Sequence, residues 1–368
     1  MKLKCDKNLL LKEITVAQEI LSTKNALSIL SNVLMEAENN TLVIQATDLK
    51  VSFETRIPVD LVTPGSCTAY GEKLLEILRK LPPGEIELEL DGGALKIHPA
   101  DDASIDFGLK SLASEQYPAL KTVSDDSYFD VAQADLIEMI SQTVFAVSDD
   151  ETRYFMNGVY FENIEGDLAM VATDGRRLSY IKKKMNEPLP FFEGIIIPTK
   201  VLNLIKKLIS GEGNISLAVS DKSLFFKLDN QRISSNLIDG AFPKYQRVIP
   251  EDHKFAFLVN KTRLLDALQR TSVFVENKSK KILFNLSAGK LTLKSEESEY
   301  GMAREEIDCE YAGADCAITL NCSYIMEPLK IIQEDSVQIQ FTEVGKAITL
   351  NAVPEADFFH VIMPMQTD

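Results

Sequence analysis

Five cysteines, three histidines and one run of carboxylates are the residues of this 368-residue chain that could carry covalent, metal or acid–base chemistry. Cys5, Cys67, Cys309, Cys316 and Cys322 are odd in number and scattered, with no C-x-x-C pair, so neither a disulfide framework nor a zinc ribbon fits their spacing. The last three fall close together but have no histidine beside them, and buried free thiols account for them. His98, His253 and His360 stand in no H-E-x-x-H or related pattern. The G-x-S-x-G elbow, the P-loop and the dinucleotide fingerprint are all absent. Asp149, Asp150 and Glu151 are adjacent, yet no nucleophile, base or metal ligand stands beside them by spacing, and a solvated loop explains them equally. The expectation is a protein that is not an enzyme and uses no cofactor or metal.

What the chain has instead is internal repetition. A helical stretch from Lys7 places Leu10, Ile14, Ala17 and Leu21 on one face; a second from Gln133 does so with Leu136, Ile140, Thr143 and Val147; a third starts at Lys261 with Leu264, Leu265 and Leu268. A second helical stretch follows in each copy, at 72–81, 199–209 and 322–333, the last containing Pro328, which should kink or shorten it. Between them lie short alternating strands. Thr41–Asp48 matches Asp167–Asp174 at an offset of 126, Lys290–Ser295 follows at about the same interval, and Tyr117-Pro118 is echoed by Phe242-Pro243. The reading is α+β: three repeated domains, 1–124, 125–250 and 251–368, each with two helices packed on antiparallel sheet. Sheet edges of such units must be capped or paired, so neighbouring copies are expected to join edge to edge, and a two-fold dimer could close the outer edges into a ring.

The composition, 45% hydrophobic and 26% charged, is that of a globular protein and excludes disorder. No apolar run approaches a membrane span, and Met1–Asp6 lacks the apolar core of a signal peptide, so a soluble, cytoplasmic protein without membrane contact is expected. The net charge of −16 is unevenly spread: the six helical stretches together carry +4, leaving −20 for the rest. Basic helices in an acidic molecule suit sequence-independent contact with phosphates; no recognition helix, zinc finger or RNP-like aromatic set is present to read bases.

Four segments resemble the bacterial DNA polymerase III beta subunit, the DNA sliding clamp family. Thr173-Asp174-Gly175-Arg176-Arg177-Leu178 is similar to its A-T-D-G-x-R-L segment. Arg153–Gly158 and Phe242–Val248 look like its other middle-domain signatures, and Val361-Ile362-Met363-Pro364-Met365 like its V-x-M-P-M ending. The resemblance runs along the whole chain. It implies three repeated clamp domains in a ring-shaped head-to-tail homodimer closed around double-stranded DNA. Such a ring is a non-catalytic processivity factor, opened by a clamp-loader complex. It would tether the polymerase III alpha subunit, other polymerases and repair proteins that carry clamp-binding peptides.

Carried over residue by residue, the resemblance implies a hydrophobic peptide site between the second and third domains made of Met156, Thr173, Gly175, Arg176, Arg177, Leu178, Pro243, Arg247, Val248, Val361, Ile362, Met363, Pro364 and Met365. The apolar members and two methionines suit an adaptable groove, and Arg177 and Arg247 could orient backbone or carboxylate groups. For DNA it points to Lys24, Arg79 and Lys200, with Lys206, Lys207 and Tyr154 as further candidates; for the dimer interface, to Ile77 and Phe107 against Val273 and Phe274. Read alone, Asp174-Gly175 is a common hairpin turn, but the equivalent Asp48-Leu49-Lys50 has no glycine, hinting at a special backbone role for Gly175. Pro364 argues that the chain leaves the sheet there. Two departures from the family pattern are Arg176, where histidine is frequent, and the tail Gln366-Thr367-Asp368 in place of a terminal arginine and leucine.

Overall fold

The computed structural model describes residues 1–21, 28–102, 104–185, 187–220, 222–276 and 278–366. Six helices form where the periodicity places them: α1 Lys7–Gln18, α2 Gly71–Lys80, α3 Gln133–Thr143, α4 Thr199–Leu208, α5 Lys261–Thr271 and α6 Cys322–Leu329. Three start directly from a strand whose last residue caps the first turn: Asp6 Oδ1 accepts from Leu9 N, Asn260 Oδ1 from Arg263 N and Asn321 Oδ1 from Ser323 N. Several end sooner than the apolar spacing suggests. α3 and α5 tighten into 3-10 turns at Val144–Ala146 and Ser272–Phe274, and Pro328, lacking an N–H, falls in the last turn of α6. Leu10, Ile14, Ala17, Leu136, Ile140, Leu264 and Leu268 are all buried, each worth about 1.5–3 kcal/mol for the larger side chains.

The repeats obey one pairing rule. The strand before the first helix of each copy pairs with the first strand after its second helix: Lys2–Asp6 with Glu85–Asp91, Phe129–Ala132 with Asn214–Ser220, Phe255–Asn260 with Ser336–Phe341. The strand after the first helix pairs with the strand before the second: Asn32–Glu38 with Gly65–Tyr70, Gly158–Ile164 with Ile195–Pro198, Lys281–Ser287 with Cys316–Asn321. The last strand of one copy then joins the preceding copy. Gln231–Asn236 of the second pairs with Val51–Pro58 of the first, and Phe358–Ile362 of the third pairs with Arg177–Lys183 of the second. All these pairings are antiparallel.

Because the middle copy gives strands to both joint sheets, the chain forms two compact units, Met1–Ala132 with Lys207–Leu237, and Gln133–Lys206 with Ile238–Asp368. The first holds a five-stranded and an eight-stranded sheet, the second an eight-stranded and a four-stranded sheet. No described helix is long and apolar enough to cross a membrane.

Candidate functional site

In the second unit, the junction strands Arg177–Lys183 and Phe358–Ile362 set Leu178 opposite Val361 and Tyr180 opposite Phe359. Side chains two apart share a sheet face, so these four form one floor, while Ser179 and His360 point to the other side. Leu178 and Val361 are buried at the base of an apolar cleft of about 250 Å³, whose walls come from Met156, Pro243, Tyr245, Val248 and Met363. Met363 and Val248 are 45% and 55% exposed, so the walls are still open to a ligand. On the same face beside the cleft, Tyr160 stacks on Phe242 at 4.7 Å, Tyr180 on Phe359 at 4.9 Å, and Tyr245 sits between the pairs at 6.4 and 6.0 Å. Burial and a hydrogen bond to Glu162 Oε1 push the Tyr245 phenol well above its ordinary range.

The turn at the cleft rim is held by its own side chains. Thr173 Oγ1 donates to Arg177 O and accepts from Gly175 N, while Asp174 Oδ1 accepts from Arg176 N and Arg177 N. The first repeat contains the same construction: Thr47 Oγ1 donates to Val51 O and accepts from Leu49 N, and Asp48 Oδ1 accepts from Lys50 N and Val51 N. Gly175 has φ +87 and Leu49 φ +72. The left-handed conformation is therefore common to both turns, which corrects the expectation that glycine marks a backbone special to the middle copy. What distinguishes Gly175 is its surroundings: a Cβ there would lie 3.0 Å from Arg153 Nη1 and 3.8 Å from Met156 Cε.

Arg177 lines the cleft with its guanidinium already engaged in several contacts. Its guanidinium donates to Asp174 Oδ2 at 3.1 Å, to Phe145 O at 2.6 Å and to Glu327 Oε2, and it lies 4.5 Å from the Tyr324 ring centroid. These contacts tie the rim turn to α6. Arg176 lines the cleft with its neighbours, but Arg247, Ile362, Pro364 and Met365 do not. Ile362 is buried on the side of the sheet opposite the floor, since it neighbours Val361; the strand ends there, as Pro364 implied. Met363 N donates to Arg176 O, which holds its side chain over the cleft, whereas Met365 N donates to Thr319 O and is drawn away. Lys244 and Tyr245 also line the cleft; both lie in the Phe242–Val248 segment, where the resemblance points only to the proline, the arginine and the valine.

Arg79 is exposed at the C-terminal end of α2 beside Lys80. On α4, Val201, Leu202, Leu204 and Ile205 are buried while Lys200, Lys206 and Lys207 are exposed, and Lys207 Nζ lies 3.0 Å from Glu19. Tyr154 is half exposed, edge-on to Phe155. Lys24 lies outside the described residues. In the first unit Ile77 and Phe107 are half-buried; in the second Val273 is 77% exposed and Phe274 half-buried.

Several of the groups that could have carried chemistry are engaged in structure. Asp150 caps the 3-10 turn Glu151–Met156, accepting from Thr152 N, Thr152 Oγ1 and Arg153 Nε, and these donors hold its carboxyl below the usual range. All five cysteines are free thiols, and burial pushes Cys5 and Cys67 up to about 12. His360 is buried between Phe145 and Phe358 with Nδ1 2.9 Å from Ser179 Oγ, and burial lowers its pKa to about 3.

Family comparisons cover all three copies. Residues 1–121, 130–244 and 246–366 match the models of the N-terminal, central and C-terminal domains of the DNA polymerase III beta subunit. The beta sliding clamp of Treponema pallidum is 43% identical and that of Caulobacter vibrioides 30% identical, each over the full length of both chains. The solved structure of a sliding clamp from Pseudomonas aeruginosa bound to griselimycin superposes with a TM-score of 0.94 at 27% identity, with both chains fully covered. Repeats that share sheets in this order define a clamp of the replication machinery, a non-catalytic processivity factor. The chain belongs to the DNA polymerase III beta-subunit family, the beta sliding clamps.

Proposed function

We propose that this sliding clamp works as a head-to-tail homodimeric ring around duplex DNA and tethers its partners through the apolar cleft at the Leu178–Val361 junction. The observation that carries the ring is the pairing rule. The last strands of the second and third copies join the strand Val51–Pro58 of the first copy and its counterpart Arg177–Lys183 of the second. Two members of that series are left over: Phe107–Lys110, the last strand of the first copy, and Arg304–Asp308, its acceptor in the third; each is the edge of its sheet. Within one chain both edges would be open, and a second chain offers the complementary edge to each. α2 packs beside Phe107–Lys110 and α5 beside Arg304–Asp308, so Ile77 and Phe107 would meet Val273 and Phe274 across the joint. The domain limits that follow are 1–124, 125–250 and 251–368.

DNA contact is assigned to the exposed lysines and arginine of the helices, Arg79, Lys200, Lys206 and Lys207 with Lys24, and to Tyr154. The contact is with phosphates and so independent of sequence. The tethered partners are the polymerase III alpha subunit, the clamp loader and other polymerases and repair proteins presenting a short apolar peptide, and the place of action is the cytoplasm. The test is light scattering together with retention on DNA. The expected particle has about twice the chain mass of 41.0 kDa and, once loaded, stays on circular duplex but runs off linear duplex with free ends. Equal retention on both would overturn encirclement, and a monomer at micromolar concentration would overturn the dimer. Phe107→Asp should convert dimer to monomer without loss of secondary structure.

A further inference from the structure

We infer that the partner groove continues beyond the apolar cleft into a second cavity, which binds neutral hydrogen-bonding side chains, carboxamide or hydroxyl, in the residues flanking the apolar anchors of the same peptide. This extends the peptide-binding proposal above and rests on it.

Residues directly opposite one another on neighbouring strands share a face. Two rows cross the eight-stranded sheet of the second unit: Leu178, Val361, Thr349, Gln340, and next to it Tyr180, Phe359, Asn351, Gln338. The first two members of each row are the floor of the apolar cleft and its aromatic continuation. At the strand Ile348–Val353 the same face turns polar, and the last two members of each row, with Phe359, line a separate cavity of about 310 Å³. The cavities abut: Val248 is a wall of the first and Ile249 of the second, and Phe359 of the second stacks on Tyr180. At about 4.8 Å per strand, Gln340 lies two strands, or roughly 10 Å, from Val361. An extended peptide covers that distance in about three residues.

The polar cavity has unused hydrogen-bonding capacity. Asn351 Nδ2 donates to Gln340 Oε1 at 3.0 Å, which leaves the Asn351 carboxamide oxygen and the Gln340 amide hydrogens for a ligand. Thr349 is 5% exposed and its Oγ1 has no hydrogen-bond partner among the described residues. Among the described residues, the ionisable groups lining the cavity are His253 and Glu355, with no lysine or arginine. A peptide carboxylate would therefore meet no fixed cation, and a lysine only one carboxylate. Neutral amides and hydroxyls match the array, and a site of this kind discriminates against ligands that leave its groups unpaired.

Five synthetic peptides test this by fluorescence anisotropy: a core with leucine and phenylalanine anchors, the core extended by Gln-Ser-Asn at one end or at the other, and the core extended in the same two ways by three alanines. One Gln-Ser-Asn peptide should bind the wild-type full chain about 3- to 10-fold more tightly than its alanine counterpart. That gain should vanish in Gln338→Ala and in Asn351→Ala, while both variants bind the core peptide as wild type does. Equal binding of polar and alanine tails at both ends by wild type, with the core still bound, overturns this inference alone and needs no variant to fold. A core peptide that fails to bind, or whose binding ignores Met363→Ala, overturns the cleft assignment and this inference with it.

Discussion

Met363 and Met365 stand two residues apart in the same terminal segment, and the structure separates their roles sharply enough to test. Met363 N is tied to Arg176 O and its side chain overhangs the cleft with 45% of its surface still exposed; Met365 N is tied to Thr319 O and its side chain lies outside the cleft. Full burial of a methionine side chain is worth about 1.5–3 kcal/mol. A peptide that covers the exposed fraction of Met363 recovers about 0.7–1.3 kcal/mol of this, a factor of about 3 to 9 in Kd. Met363→Ala should weaken an anchor peptide by that factor, mostly through faster dissociation. Met365→Ala should leave affinity within about twofold. The measurement is peptide titration by fluorescence anisotropy, with thermal melts of each variant as the folding control. Equal losses from both substitutions, or none from Met363→Ala in a protein that melts as wild type does, would refute the cleft geometry.

Three further outcomes concern stability. Arg177→Ala removes the shared partner of Asp174, Glu327 and the Phe145 carbonyl. Discounted for the part-exposed Glu327, the loss is about 2–4 kcal/mol by denaturant unfolding, and Arg177→Lys should not restore it because it cannot form the fork or the stack. Leu49→Gly should stabilise the protein by about 0.5–1 kcal/mol, since relief of a left-handed leucine outweighs the added freedom of the unfolded chain; a lower urea midpoint would contradict this. His360 stays neutral when folded down to about pH 3, whereas the unfolded chain takes up a proton below about 6.5. Its contribution is thus complete above pH 6.5 and lost as pH falls toward 3, about 1.4 kcal/mol between pH 7.5 and 5.5. Urea unfolding at the two pH values should show that difference in wild type and not in His360→Asn.

The helices were legible because a 3.6-residue apolar period and an Asp or Asn at the strand end state them locally: Leu10, Ile14 and Ala17 behind Asp6, Leu264 and Leu268 behind Asn260. The repeat was legible because Thr47-Asp48 and Thr173-Asp174 build one turn from the same side-chain hydrogen bonds. Which strand meets which was not, because pairing of Gln231–Asn236 with Val51–Pro58 is made between residues about 180 apart and leaves no local trace. The cleft shows the same divide. Leu178, Pro243, Val248, Val361 and Met363 were found through resemblance, but the terminal segment was taken whole. Alternation along the last strand turns Ile362 away from Val361, and only the tertiary tie to Thr319 removes Met365. Arg177 could not be recognised as structural from sequence, since Glu327 and Tyr324 come from α6 about 150 residues later.

Sheet geometry, rather than reactive side chains, underlies the function proposed for this chain. The features proposed to act here are rows and edges of sheet: Leu178 facing Val361 across a junction, Thr349 and Asn351 continuing the face in polar form, and the edges Phe107–Lys110 and Arg304–Asp308 left over by the pairing rule. Backbone edges bind through amide groups that every residue possesses, so their specificity comes from register and from the few side chains beside them. An enzyme must place two or three reactive groups within hydrogen-bond reach, and its sequence is marked by their types. A clamp of this construction needs a continuous face and matching ends. The residues proposed to act are consequently ordinary ones, leucine, valine, methionine, asparagine and glutamine, whose importance follows from which strand they sit on and which way they point.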